Sequence, residues 1–293
     1  MSNAVPPLLT ALVDDAAVFP PGSAPLTDAV PAHAGHCRSW YAQLIGPLLL
    51  PIGDRSDFVA VAANHPSFSP GASPDLGLGL IGEPSAIESA LGDLPDGTRQ
   101  LESPVAKRGE DPLPGIERLA ALMRKCEGPL QWYLEVPLAW GLMSGLDAIA
   151  ALRAEGLPVA AKFRTGGLAA ELFPSPTELA AVIAACRDRD VPFKLTAGLH
   201  HAVRHTDAET GLVHHGFLNI LAAVVAAADG ADPADLALLL SSTETQSLAD
   251  RIRPDLDRER PLWVGFGSCS VQDPVGDLVT LGLLDQPRPG GPR

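Results

Sequence analysis

Cationic side chains are scarce in this 293-residue sequence, which carries 21 basic residues against 35 acidic ones and a formal net charge of −14. Nucleic acid is gripped by clustered lysine and arginine that displace counterions from phosphates, so this balance excludes a broad nucleic-acid-binding face. Cysteine occurs only at positions 37, 126, 186 and 269, without a CxxC pair or any short spacing. Zinc-knuckle and disulfide-framework architectures are therefore excluded. Neither a GxGxxG turn between strand and helix nor a P-loop is present, which disfavours nicotinamide and ATP as ligands. Apolar runs stop short of the roughly 18 residues of a membrane-crossing helix. The first basic residue is Arg38, so the cationic start of a secretory signal is missing. A cytoplasmic protein with no membrane partner is expected. Aromatic residues make up only 5% of the chain, and Trp40, Tyr41, Trp132 and Trp140 read as packing rather than as a cofactor cage.

Apolar material is plentiful at 46%, and 28 glycines with 29 prolines supply many turns. Short apolar runs alternate with segments of three- and four-residue apolar spacing along the whole chain. Eight strands are expected at Ala11 to Phe19, Gly46 to Pro51, Asp75 to Ile81, Thr98 to Pro104, Pro129 to Val136, Pro158 to Phe163, Pro192 to Ala197 and Leu262 to Gly267. Helical patterns lie between them at Ile116 to Met123, Leu146 to Leu152 and Leu179 to Ala185, the last opened by a Ser-Pro-Thr-Glu start signal. Asp57 to Ala63 fits either a strand or a helix. This alternation specifies an α/β protein, a single (β/α)8 TIM-type barrel domain over residues 1–293. Between Arg204 and Pro261 the spacing is too long for one helix. Phe217 to Ala228, Asp232 to Leu240 and Thr245 to Arg253 are read as extra helices between strands seven and eight, and the tail from about 285 as frayed.

Lysine is the rarest cation, found only at 107, 125, 162 and 194, with arginine elsewhere. Lysine can shed its proton where arginine in effect cannot, so each lysine is a candidate for chemistry. Barrel catalysts sit at the C-terminal strand ends. There the fifth strand reads QWYLEVP, the sixth VAAKFRTGG and the seventh PFKLTAGLHH. Side chains alternate with period two, which puts Lys162 and Arg164 on one face of the sixth strand and aligns Lys194 with Thr196 on the seventh, so that Lys162 and Lys194 can face each other. With strands about 4.8 Å apart and register matched, the two ammonium groups would stand on the order of 6 Å apart. Their repulsion at an effective dielectric of about 20 is roughly 2.8 kcal/mol, enough to move one lysine from about 10.4 towards 8. Such an amine is a Schiff-base nucleophile. The same spacing equally fits two lysines that neutralise an anionic ligand or pair with Glu135. In the last strand, VGFGSCSVQDP brings Gly265, Gly267, Ser268 and Ser270 to a strand-to-helix turn suited to phosphate, and Thr165, Gly166 and Gly167 complete that site. Asp14 and Asp15 end the first strand, where they fit a site role or a solvated strand end.

These motifs resemble those of the deoxyribose-phosphate aldolases, which are class I (Schiff-base) aldolases. KFRTG at 162–166 is similar to their KTSTG segment, KLTAG at 194–198 to their KxxGG segment, and GFGSCS to their terminal FGASS, in the same order along the chain. YLEVPLAW resembles the family's fifth strand. The resemblance runs from Pro129 to Arg204 and from Leu262 to Leu284. It implies Lys162 as the imine-forming residue and Lys194 as its activator. It also implies Thr165, Gly166, Gly198, Gly267 and Ser268 around a substrate phosphate, and Glu135 in the barrel interior. Glu102 in RQLESPV is nearest to the family's relay carboxylate, and His200 occupies its basic position after the seventh strand.

The expected catalytic set is therefore Lys162, Lys194, Glu135, Glu102 and His200. Arg164, Thr165, Gly166, Gly167, Gly198, His201, Gly267, Ser268 and Ser270 are expected to hold the substrate. The expected activity is a carbon–carbon lyase acting on a small, anionic, phosphorylated carbonyl compound without a cofactor, in a chain able to form a homo-oligomer. Histidine supplies the competing reading. His200, His201, His205, His214 and His215 are dense enough to bind a divalent metal with Glu102 or Glu135, although no HExxH spacing occurs. On that reading the barrel is a metal- or histidine-dependent enolate-forming lyase or isomerase, with Lys162, Arg164 and Lys194 clamping a carboxylate. A non-catalytic ligand- or partner-binding barrel is the third alternative.

Overall fold

Strand and helix alternate in the computed structural model as the hydrophobic pattern dictates. The structure describes residues 5–64, 77–126 and 128–287. Seven strands, β1 (Val13–Asp15), β2 (Ile45–Pro51), β3 (Leu78–Ile81), β4 (Thr98–Pro104), β5 (Gln131–Glu135), β6 (Val159–Arg164) and β7 (Phe193–Thr196), pair in parallel in chain order. After a two-stranded hairpin of β8 (His205–Thr206) and β9 (Val213–His214), β10 (Trp263–Ser268) closes the barrel between β7 and β1. The helices are α1 (Leu26–His36), α2 (Arg55–Ala63), α3 (Pro84–Ala90), α4 (Leu113–Met123), α5 (Leu142–Ala154), α6 (Pro176–Asp188), α7 (Phe217–Ala228), α8 (Pro233–Ser241), α9 (Thr245–Ile252) and α10 (Gln272–Thr280). Among the described residues no helix is long and apolar enough to cross a membrane.

The (β/α)8 barrel and its extra helices before the last strand match the expected fold. Several boundaries differ for physical reasons. The first strand shrinks from Ala11–Phe19 to three residues because Ala11 adopts a positive φ of 47° and the chain turns at Ala16. Asp57 to Ala63 is helix, its Phe58 buried with Val61 and Ala62 packed beside it at three- and four-residue spacing, so helical packing overrides the β-branched valines. Of the third expected strand, Asp75 and Leu76 lie outside the described residues, as does the tail beyond 287. The β8–β9 hairpin, two residues per strand, is too short to leave a periodic signal.

Period-two alternation divides the strand residues into two sets. Val13, Leu48, Leu80, Leu101, Leu134, Phe163, Leu195 and Phe266 face the helices and join one continuous apolar core. α7 is buried around nearly its whole circumference because α6, α8 and α9 all pack on it. The alternate residues, Asp14, Gln100, Glu102, Tyr133, Lys162 and Lys194, project into the barrel and are buried there. Branched apolar side chains ordinarily fill that space. Room for the polar ones comes partly from Gly79, where a Cβ would stand 2.5 Å from Leu49 Cδ2 and 2.7 Å from Gln100 Nε2.

The Ser-Pro-Thr-Glu signal forms a complete capping box at the start of α6. Ser175 Oγ accepts from Glu178 N at 3.2 Å, and Glu178 Oε2 accepts from Ser175 N at 2.8 Å. Ser175→Ala removes one half of that exchange and is expected to cost about 1 kcal/mol, measured as a lower denaturation midpoint with an unchanged slope against denaturant.

Candidate active site

Matched register brings the two buried lysines side by side: Lys162 on β6 pairs with Lys194 on β7, Glu135 on β5 pairs with Lys162, and Arg164 pairs with Thr196. A carboxylate from β4 stands between the ammonium groups. Glu102 Oε2 lies 2.7 Å from Lys162 Nζ, and Glu102 Oε1 accepts from Lys194 Nζ at 2.5 Å and from Gln100 Nε2 at 3.0 Å. Lys194 also donates to Asp14 Oδ2, which accepts from Gln100 Nε2 at 3.0 Å. On the other side Lys162 Nζ is 2.9 Å from Glu135 Oε2, and Arg164 Nε donates to Glu135 Oε1 at 3.3 Å. A chain of ion pairs thus runs Asp14, Lys194, Glu102, Lys162, Glu135, Arg164 from the barrel interior to its mouth.

Electrostatics follow from this order. Burial alone would push Glu102 up, but the two lysines outweigh it and bring its carboxyl down to about 2. Burial favours neutral Lys162 and Lys194, yet Glu102 with Glu135 around the first, and Asp14 with Glu102 around the second, raise both above the ordinary lysine value. Mutual repulsion therefore does not depress a lysine here, contrary to the expectation from spacing, because Glu102 neutralises the pair from within. Glu135 is lowered, its burial outweighed by Lys162 and Arg164. Asp14 is raised, because its burial outweighs Lys194 and Glu102 adds repulsion. Tyr133 is also raised by burial and by Asp14 and Glu102, and its ring centroid lies 4.9 Å from Lys194 Nζ.

Two cavities approach this chain from opposite ends. At the mouth, a pocket of about 290 Å³ is lined by Glu135 and Arg164 with Arg108, Pro137, Glu171 and Phe173. Lys162 is 2% exposed and lies behind Glu135 rather than in the pocket wall. At the base, a cavity of about 440 Å³ is lined by Asp14, Gln100, Tyr133, Lys194, Arg260 and Trp263. Lys162 thus communicates with the mouth and Lys194 with the base.

The residues expected around a phosphate pack closely between the loops that follow the strands. Thr165 is fully buried, and its hydroxyl donates to Ala197 O at 2.8 Å while its N–H donates to Thr196 O, so it presents no free donor to a ligand. Gly166 and Gly198 make the β6 and β7 loops touch, since a Cβ on Gly166 would stand 2.9 Å from Gly198 Cα. A Cβ on Gly167 would meet Leu172, and one on Gly267 would meet Leu49. Ser268 is buried with its hydroxyl donating to Ser270 O at 2.7 Å, and Ser270 Oγ accepts from Asp273 N at 3.3 Å at the start of α10. These residues lock loops together, and the cations facing the mouth are Arg164 and Arg108.

The histidines form a separate group. His200 Nδ1 lies 3.4 Å from Ser268 Oγ, and its pKa is lowered by burial. His201 stacks edge-on to His205 at 4.9 Å, which stacks on His214 at 5.4 Å, and His201 Nδ1 is 3.6 Å from Asp277. His215 is buried, held to Pro174 O at 2.7 Å, and its pKa falls to about 4 under desolvation. Among the described residues no three His, Cys, Asp or Glu side chains converge as a metal site would require. Trp132 packs in the core as expected, whereas Trp140 is exposed. Asp14 and Gln100 belong to the lysine network although only Asp14 was visible beforehand, as one of two acids at a strand end that fitted solvent equally well.

The pH response of the network has a definite sign. Glu102 has a folded-state value of about 2 against about 4.3 for a free glutamate. Its contribution is fully present above the unfolded value and disappears as pH falls through the folded one. Glu102→Gln, which leaves two lysines short of a buried partner, should cost about 3 to 5 kcal/mol at pH 7. The stability gap between wild type and Glu102→Gln should narrow as pH drops from about 4.5 to 2, as measured by denaturant titration at each pH.

No protein-family model matches the sequence, and no curated protein matches it.

Proposed function

We propose that this barrel is an aldolase-type carbon–carbon lyase acting on a small anionic carbonyl compound through a Schiff base on Lys162. The observation that carries the reading is the unbroken chain Lys162, Glu102, Lys194, Asp14. Lys162 must lose a proton before it attacks, and this chain offers that proton a path. Lys162 gives it to Glu102, while Lys194 gives one of its own protons to Asp14, whose carboxyl is raised by burial, and takes the proton on Glu102 in its place. Neutral Lys162 then adds to the substrate carbonyl, the proton held at Asp14 returns along the same chain to the carbinolamine hydroxyl, which leaves as water, and the iminium that forms accepts the electron pair of the breaking carbon–carbon bond. Glu135 lies 2.9 Å from Lys162 and faces the mouth pocket, so it is the group placed to take the proton from the substrate hydroxyl as that bond breaks. Arg164 and Arg108 flank the same pocket and suit an anionic end of the substrate, carboxylate or phosphate. The likeness of KFRTG and KLTAG to the deoxyribose-phosphate aldolase motifs supports the same assignment.

One observation favours a second reading. Both lysines are raised in the resting protein, and two ammonium groups beside a carbonyl oxygen would stabilise an enolate without forming an imine. Borohydride separates the two. Added with a small aldehyde or ketone, it should label Lys162 covalently. Lys162→Arg keeps the charge without the nucleophile, and should abolish labelling while circular dichroism shows a folded barrel. Lys194→Met frees Glu102 to pair with Lys162 alone, and should slow labelling by about tenfold at pH 7 with partial recovery at higher pH. Labelling confined to Lys107 or Lys125, or turnover retained by Lys162→Arg, would reject the imine and establish the enolate reading in its place.

A further inference from the structure

A second cluster of reactive groups lies beside β1, apart from the lysine chain. Asp15 follows Asp14 and points to the other face of the strand. Its Oδ2 lies 3.1 Å from His33 Nδ1, and its Oδ1 accepts from Ala17 N at 3.1 Å. His33 sits in the last turn of α1, and one turn further on Cys37 Sγ stands 3.5 Å from His33 Nε2. Carboxylate, imidazole and thiol are thus in line, each ring nitrogen having one partner. Asp15 and His33 are buried, and Cys37 is half-buried.

We propose that Cys37 is a covalent modification site, a sulfur nucleophile held against the His33 ring that Asp15 orients, which takes up a low-molecular-weight disulfide by exchange. A nucleophile within reach of a base that a third group orients is the general arrangement of an activated cysteine. Burial alone would keep His33 neutral, but Asp15 and Cys37 together raise it to about 9, so the imidazolium persists at neutral pH. The other titratable groups nearby do not oppose this. His36 is lowered by burial, and its Nδ1 pairs with Tyr41 Oη at 2.9 Å.

Location selects the chemistry. Cys37 is the C-terminal cap of α1, where free backbone groups are carbonyls rather than N–H donors. Acyl transfer needs donors for an oxyanion. Disulfide exchange needs none, because the charge stays on sulfur. The Cys37 thiolate attacks one sulfur of the disulfide, a new S–S bond forms as the old one breaks, and the displaced thiolate leaves with the electron pair and takes a proton from water. All four cysteines are free, and the only side chain within bonding reach of Cys37 among the described residues is His33, so the mixed disulfide should await an external thiol.

Cys269 is an internal control. Its sulfur lies 3.7 and 3.9 Å from the two nitrogens of His200, a ring without a carboxylate behind it, and burial raises this thiol while lowering that imidazole. The full-length protein should be treated with iodoacetamide from pH 5.5 to 9 and the alkylated cysteines mapped by peptide mass spectrometry. Cys37 is expected to react first, at least about tenfold faster at pH 7 than Cys126 and Cys269. Oxidised glutathione should leave one adduct, at Cys37, removed by dithiothreitol. His33→Gln should slow Cys37 alkylation at pH 7 by about tenfold or more and leave Cys269 unchanged. A Cys37 rate no faster than that of Cys126, or glutathione spread evenly over the cysteines, would overturn the proposal. The wild-type profile decides the matter even if His33→Gln does not fold.

Discussion

One carboxylate shared by two ammonium groups holds the interior of this barrel together. Glu102 is completely buried, and each of its oxygens faces a different lysine. Removing any of these charges from water costs several kcal/mol, and only a partner at contact distance offsets that cost. The neighbours follow from this constraint. Asp14 completes the surroundings of Lys194, Glu135 completes those of Lys162, and Arg164 at the rim balances Glu135. The charges alternate in sign along the chain, so no two like charges are left without an opposite one between them. Gln100 ties the two carboxylates at one end by donating to both. The strands can carry these residues because their other faces supply the apolar core that holds the barrel closed.

Alternation also gives the barrel a direction. Glu135 and Arg164 open on the mouth, Asp14 and Lys194 on the basal cavity, and Lys162 with Glu102 lie between. The two lysines are equivalent in register and different in access. Fold class alone says nothing about chemistry, since barrels serve many reactions. The distinction between a lysine that looks towards the mouth and one that looks away belongs to this sequence.

Much of this was legible from the residues. A period of two through VAAKFR and PFKLT was enough to put Lys162 and Lys194 on facing positions, and Ser-Pro-Thr-Glu was enough to start α6. The sign of the lysine shifts was not legible. It depends on Glu102, which comes from β4, two strands away from β6, and enters between the lysines only once the barrel is closed. Asp14 was ambiguous for the same reason, because closure between β10 and β1 decides whether a strand-end acid meets water or a lysine. Thr165 and the glycines at 166 and 198 carry contacts the sequence does not reveal. Their composition suits a phosphate cradle, but the loops they belong to approach so closely that the hydroxyl is spent on a neighbouring carbonyl. Motif chemistry is read one segment at a time, whereas donors are used up between segments.

Scarcity of lysine acquires a physical reason in this arrangement. A buried cation that must change protonation state cannot be arginine, and a buried cation that need not change it is better served by arginine's fixed charge and fork of donors. Arg260 illustrates the second case at the base, where its guanidinium donates to the carbonyls of Leu8, Ala11, Trp263 and Val264 and clasps the segment before the first strand to the last strand. Lys162 and Lys194, by contrast, share their charge with three carboxylates rather than with carbonyls. Carboxylates can receive the proton a lysine gives up, and backbone carbonyls cannot. In the proposed mechanism the chain of ion pairs that stabilises the resting barrel would also let one of its lysines become neutral without placing a net charge in the core.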